Sequence, residues 1–179
     1  PGDLENAGLS STAISISNPL VQEESLLRTS LMPGQLKIIS YNQSHRIKKL
    51  KFFEIGHVYL PSEDNQLLPD EREYLSISIA GGDATEIVAI LDMISLTMAF
   101  PNMQLKQQEI EGLHPGRSAQ VFVAGQERGA VGEVDPRVLR NYGIDDSVAW
   151  LELDLGSILA GPFGKKKYTS VSKYPSSDI

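Results

Sequence analysis

The sequence predicts an α+β domain in which a mostly antiparallel sheet is flanked by helices. Three observations carry this. Stretches with two-residue alternation outnumber those with helical spacing. Strands are joined by short connections, such as the hairpin expected around Gly125. Helical stretches, the longest running from Asp83 to about Ala99, are available to lie on the sheet. At 179 residues, with 41% hydrophobic and 22% charged residues, the chain is expected to be one domain with a real core.

Residues 1–13 are rich in Gly, Ser, Asn and Ala and read as a flexible lead-in. Ile14 and Ile16 alternate with serines, a short strand that Asn18-Pro19 ends. Glu23 to Leu27 reads as a short turn or helix. Pro33 suits a helix start, where its missing N–H costs nothing. That helix runs to about Asn42 with Leu36 and Ile39 inward, joined by Ile38.

Leu50 to Tyr59 is a strand with Phe53, Ile55 and Tyr59 on one face and Phe52 and Val58 on the other. Pro61 to Pro69 is a polar loop. Arg72 to Ala80 alternates, with Leu75, Ile77 and Ile79 expected inward and Tyr74, Ser76 and Ser78 outward. Gly81-Gly82 breaks the strand and Asp83 caps the next helix. Ile87, Leu91, Ile94 and Met98 form that helix's seam, widened by Val88, Ile90 and Met93, so it is expected to be largely buried.

Pro101 ends that helix. Met103 to Glu111 reads as a strand, and Ala119 to Ala124 with Gly129 to Val134 as the hairpin. Pro136 to Asn141 is a short helix that Gly143 stops. Val148 to Leu153 is a strand, Leu155 to Ala160 a helix, Gly161 to Lys167 a loop, and Thr169 to Tyr174 a last strand.

Cysteine is absent, which excludes disulfides, cysteine zinc sites and thiol catalysis and fits a cytoplasmic home. No apolar run reaches membrane-spanning length. The net charge of −7 argues against tight nucleic-acid binding by this stretch. Arg46, Lys48, Lys49, Lys51 and the run Lys165-Lys166-Lys167 read as solvated faces, able at most to touch a phosphate backbone locally.

Function is indicated by order and spacing in the first third of the chain. Asn18-Pro19-Leu20 is followed by Leu27-Arg28-Thr29-Ser30-Leu31-Met32-Pro33-Gly34, then by Phe53-Glu54-Ile55-Gly56-His57-Val58-Tyr59. Together these resemble the β subunit of bacterial phenylalanyl-tRNA synthetase, in its catalytic-like module, a relative of class II synthetase domains. The likeness covers roughly Ile14 to Pro175. It implies a synthetase-like module over 14–170 and a linker over 171–179 toward a C-terminal domain, hence a piece of a longer polypeptide.

The resemblance also implies lost chemistry. Amino acid activation needs fixed cations on ATP phosphates. After Tyr59, active class II relatives place an arginine and, two residues on, an acid; here the residues are Leu60 and Ser62. A second stretch, Gly132 to Leu139 followed by Gly143-Ile144-Asp145, resembles the approach to the glycine-rich strand and arginine of motif 3. By ungapped placement Glu152 and Asp154 stand where glycines belong and Ser157 where the arginine belongs. Two carboxylates on one strand face are expected to repel a triphosphate. No arginine follows Arg140.

The expectation is therefore a non-catalytic module, with no cofactor of its own, that packs on the catalytic α subunit. The whole enzyme would charge tRNA(Phe) with phenylalanine using ATP and Mg²⁺. Candidate interface residues are Leu26, Arg28, Thr29, Leu31, Met32 and Leu36, because the loop before Pro33 is unusually apolar; core packing is the alternative for them. A second reading is a residual small-ligand domain or minor hydrolase using the old pocket or the loop His114-Pro115-Gly116-Arg117-Ser118. Against it, that loop reads as a turn into a strand, with Arg117 holding an internal carboxylate. The histidines His45, His57 and His114 show no zinc spacing.

Overall fold

A computed structural model describes residues 2–9, 14–15, 26–62 and 68–161. The element order is α1 (Gly2–Asn6), α2 (Met32–Ser44), β1 (Leu50–Leu60), β2 (Asp70–Ala80), α3 (Ala84–Met98), β3 (Gln104–Gln107), β4 (Leu113–Val123), β5 (Gln126–Val134), α4 (Pro136–Asn141), β6 (Val148–Asp154) and α5 (Leu155–Ala160). The six strands form one sheet in the order β1-β2-β6-β5-β4-β3, every neighbouring pair antiparallel.

The hairpins arise where the local sequence allows a tight turn. Ala124 and Gly125 both take positive φ, 53° and 77°, which matches the twist of the strands they join. β6 enters between the β1–β2 and β4–β5 hairpins, and all seven of its residues are buried. Gly129 on β5 is what lets β6 approach. A Cβ there would stand 2.0 Å from the Glu152 carbonyl oxygen, at a φ of 156° that side chains rarely adopt.

Two cores lie on opposite sheet faces. One contains Met32, Leu36 and Ile39 of α2 with Trp150, Val148, Leu113 and Val138; the other contains Ile87 and Leu91 of α3 with Leu151, Leu153, Val121 and Ile158. Asp83 caps α3 by accepting the Glu86 N–H, as its position before the helix predicts.

Several expectations are corrected. Gly2–Leu9, read as a flexible lead-in, contains a helical turn that packs. Ala7 is fully buried, Lys37 pairs with Asp3 at 2.6 Å, and Asn141 and Tyr142 donate to the Asn6 and Asp3 carbonyls. Composition concealed this because one buried alanine and a few long-range bonds supply the hold. Ser76 and Ser78, expected outward, are buried because α2 covers that face as well. Ile38 is exposed.

α3 is less buried than its apolar sequence predicts. Only Ile87 and Leu91 are fully covered, while Met93, Met98 and Leu96 are exposed, Leu96 at 82%. The strand expected from Met103 to Glu111 is confined to Gln104–Gln107. At the first short strand, a single bridge joins Ser15 to Leu26. Ile16 to Pro19, Glu23 to Ser25, most of the Pro61–Pro69 loop, Lys165-Lys166-Lys167, the Thr169–Tyr174 strand and the 171–179 linker lie outside the described residues.

Candidate functional site

The sheet face under α2 holds the residues that the sequence singles out. Register places Tyr74 opposite Asp154, Ser76 opposite Glu152 and Ser78 opposite Trp150. Glu152 and Asp154 therefore share one face, as expected. They do not, however, form a free acidic wall.

Glu152 is only 8% exposed, and its carboxylate accepts the Leu31 N–H at 2.7 Å and the Ser30 hydroxyl at 3.2 Å. Ser30 Oγ in turn accepts the Met32 N–H at 3.1 Å. This chain of contacts supplies what α2 lacks locally. Leu31 at the N-cap has no side chain able to cap, and a helix start needs acceptors for its first N–H groups. Glu152 is thus a cap delivered from β6, and its charge is favourably placed at the positive end of the helix dipole.

Burial pushes the Glu152 carboxyl up to about 7; the bonds from Leu31 and Ser30 oppose the shift, Glu54 adds to it and Arg28 works against it. Asp154 is buried in a different way. It caps α5 by accepting the Ser157 N–H at 2.9 Å and the Ser157 hydroxyl at 2.6 Å, and it meets Arg72 at 3.3 Å. Arg72 also pairs with Asp70 at 2.6 Å. Tyr74 is pushed up to about 12, first by burial and then by Asp154 and Glu152.

The segment from Leu26 to Leu31 crosses this face as a strap. Arg28 ties it to β1, donating from Nε to the His57 carbonyl at 2.7 Å and from Nη1 to Glu54 at 2.8 Å. The Tyr59 N–H returns a bond to the Arg28 carbonyl. Gly56 makes room for this: a Cβ there would lie 2.4 Å from Arg28 Nη2. The glycine in Phe53-Glu54-Ile55-Gly56-His57 thus serves internal packing.

The candidate interface residues separate on burial. Leu31, Met32 and Leu36 are core residues, and Thr29 is buried, so these four do not form an exposed contact surface. The apolar loop before Pro33 closes the domain's own interior, as the alternative held. Leu26 and Arg28 remain partly accessible. They line a cleft of about 220 Å³ with Leu4, Ser30, Pro33 and Lys37.

Leu60, the last residue of β1, lies opposite Asp70, and Ser62 follows in the loop. Neither side chain carries a charge to place on a phosphate. The residues at these positions and at Glu152, Asp154 and Ser157 do not fit a Mg–ATP group: the carboxylates are buried in internal bonds, and Ser157 is held by Asp154.

In the His114–Ser118 loop, which forms an irregularity within β4, the Ser118 hydroxyl donates to the Gln108 carbonyl. His114 Nδ1 accepts the Gly116 N–H, and Arg117 binds Glu133 at 2.7 Å. Arg117 thus holds an internal carboxylate, as expected. No group of three metal-ligating side chains comes together among the described residues.

Sequence reading missed Ser30 and Gln35. Gln35 reaches from α2 to the sheet and accepts from Ser76 at 3.0 Å and Ser78 at 2.5 Å. Its Nε2 and the indole N–H of Trp150 are buried without a hydrogen-bond partner among the described residues. The usable signal was the start of α2: Leu31-Met32-Pro33 has no acceptor beyond Ser30, so one had to come from elsewhere.

The sheet and its helices have the fold of a class II aminoacyl-tRNA synthetase domain. Similarity to a pyrrolysyl tRNA synthetase from Desulfitobacterium hafniense has a TM-score of 0.63 at 16% identity, covering 82% of this chain and 51% of that one. The chain belongs to the family described as the phenylalanyl tRNA synthetase beta chain CLM domain, whose model matches residues 3–155. It is 33% identical over 167 residues to the phenylalanine–tRNA ligase beta subunit of Clostridium tetani, and 30% identical over 170 residues to that of Clostridium acetobutylicum. These alignments cover 92% and 90% of this chain but 21% of each relative, so the chain spans about a fifth of their length.

Proposed function

We propose that this chain is a non-catalytic module of a phenylalanine–tRNA ligase β subunit that supports the catalytic α subunit. In this reading the whole enzyme charges tRNA(Phe) using ATP and Mg²⁺ in the cytoplasm, and this module binds neither nucleotide nor tRNA tightly. The observation that carries it is the fate of the motif positions. Leu60 and Ser62 replace the charged pair, and Glu152 and Asp154 hold the protein's own backbone and side chains. One lost electrostatic contact of this kind typically costs about 10²–10³ in rate.

A support role needs a contact surface. Phe53 (68% exposed) on β1 and Met93 on α3 line one apolar groove with Phe52, Ile77 and Ile90, surface of the kind that marks protein contacts. No helix among the described residues is long and apolar enough to cross a membrane.

Phenylalanine-dependent ATP–pyrophosphate exchange by the pure chain tests the catalytic half of the reading. Background rates are expected, and a rate well above background overturns it. Co-purification of the α subunit with the β polypeptide, with and without this module, tests the support half. Undiminished assembly and activity without the module would remove that half.

A further inference from the structure

Charge is unevenly spread along this chain. Between Glu24 and Glu54 there is no Asp or Glu, although the net charge is −7. The same stretch carries six cations, Arg28, Lys37, Arg46, Lys48, Lys49 and Lys51. The structure divides them. Arg28 pairs with Glu54, Lys37 with Asp3 and Lys51 with Glu86. Arg46, Lys48 and Lys49 are exposed and enter no ion pair among the described residues.

These three follow α2 directly. Arg46 takes a left-handed φ of 68°, and the Ile47 N–H returns to the Asn42 carbonyl at 3.0 Å, so the chain turns sharply at the helix end. The turn sets the cations next to the last turn of α2. There Tyr41, 64% exposed, stacks on His45 one turn on, with ring centroids 4.3 Å apart. His45 Nδ1 lies 2.8 Å from the Tyr41 carbonyl, which only accepts, so that nitrogen donates and holds the ring in place. A solvated face accounts for the lysines but gives no reason for an exposed, fixed aromatic pair beside them.

We propose that Tyr41, His45, Arg46, Lys48 and Lys49 form a contact for an unpaired nucleic-acid strand. One base stacks on the Tyr41–His45 pair while the cations meet the flanking phosphates. Stacking on an exposed ring and cations along the backbone are what hold single strands on proteins. Asp146 approaches the same end of α2, but through Gln43 at 3.4 Å. An anionic membrane fits less well. It takes an apolar helix face free to insert, and Met32, Leu36 and Ile39 of α2 are buried in the core. Three phosphates are few, so the contact is weak by itself, in keeping with an acidic chain. It does not rest on the support role proposed above.

Fluorescence anisotropy of the whole chain with a labelled RNA of about 12 unpaired nucleotides tests this. Affinity is expected to fall about a hundredfold from about 20 to about 200 mM KCl, the slope of three neutralised phosphates. Lys48→Gln with Lys49→Gln is expected to weaken binding at low salt and to cut that fall to about fivefold. Tyr41→Ala is expected to weaken binding at least about fivefold and leave the salt slope in place. Arg128→Gln, which removes a charge from β5, is expected to change nothing. No binding at low salt, binding that either patch variant leaves unchanged, or an equal loss in Arg128→Gln overturns the proposal. The same sequence as DNA tells the sources apart: equal binding assigns the contact to single strands in general, and stronger RNA binding to RNA. Binding to phosphatidylserine–phosphatidylcholine vesicles in place of RNA overturns the proposal in favour of a membrane. Should a patch variant fail to fold, NMR of the wild type decides: the Tyr41 and His45 ring resonances are expected to shift on adding RNA, and unmoved rings overturn the contact.

Discussion

The Glu152 carboxylate receives the Leu31 N–H at 2.7 Å across 121 residues of sequence, so a strand in the centre of the sheet caps a helix near the other end of the chain. The first turn of α2 therefore depends on β6. Replacing Glu152 with alanine leaves a buried donor unsatisfied and is expected to destabilise the domain by about 1–3 kcal/mol. The measurement is a denaturation midpoint at pH 7. An unchanged midpoint would mean that water replaces the carboxylate without cost.

Overall stability is expected to depend on the titration of Glu152. The Glu152 carboxyl lies near 7 when folded and near 4.5 as a reference, so the folded state holds the proton longer. Its contribution falls as pH rises from about 4.5 to about 7, by at most about 3 kcal/mol, and is level above that. Asp135 runs the opposite way. The guanidinium of Arg137, bonded to it at 2.7 Å, holds its carboxyl below the usual range, so its contribution is present at neutral pH and is lost on acidification. Denaturation from pH 4.5 to 8 is expected to show a slope that Glu152→Gln reduces and Arg137→Gln leaves in place.

Trp150 lies in β6 among Met32, Leu36 and Val148, and is buried. Truncation to alanine is expected to cost about 3–5 kcal/mol, enough to unfold a domain of ordinary stability. A near-wild-type midpoint would place the indole outside the core.

Gly56→Ala puts a methyl group 2.4 Å from Arg28 Nη2, the far end of a flexible side chain. The guanidinium should move and weaken its bonds to Glu54 and the His57 carbonyl, at a cost of about 1 kcal/mol. Once Arg28→Ala has removed the guanidinium, Gly56→Ala should cost much less. A double-mutant cycle checks this, and strict additivity would show that the two residues do not meet.

Charge placed at Met32 should unfold the chain, because that side chain is fully buried. Charge at Leu26, or at Phe53 and Met93, should leave it folded. If Phe53→Asp with Met93→Asp then abolishes assembly with an α subunit, the apolar groove between β1 and α3 is the contact. If assembly persists and Leu26→Asp abolishes it, the contact is the cleft beside the strap.

Local chemistry was legible in the linear sequence. Helices α4 and α5 have the bounds that Pro136, Gly143 and the apolar spacing indicate, Asp83 caps α3, and the turn of the β4–β5 hairpin is centred on Ala124-Gly125. These signals act over a few residues and need no partner from elsewhere in the chain. Family membership was legible for a related reason, since it rests on runs of residues in fixed order. What packs on the second face of a strand is not local. Ser76 and Ser78 alternate like outward residues and are buried only because Gln35 arrives from α2. α3 is apolar on nearly all sides, yet only the sheet beneath it decides that Ile87 and Leu91 are covered and Leu96 is not. The carboxylates of Glu152 and Asp154 could be counted in the sequence, but the tertiary structure assigned them to Leu31 and Ser157, because a buried charge is stabilised by whichever donors the fold brings to it.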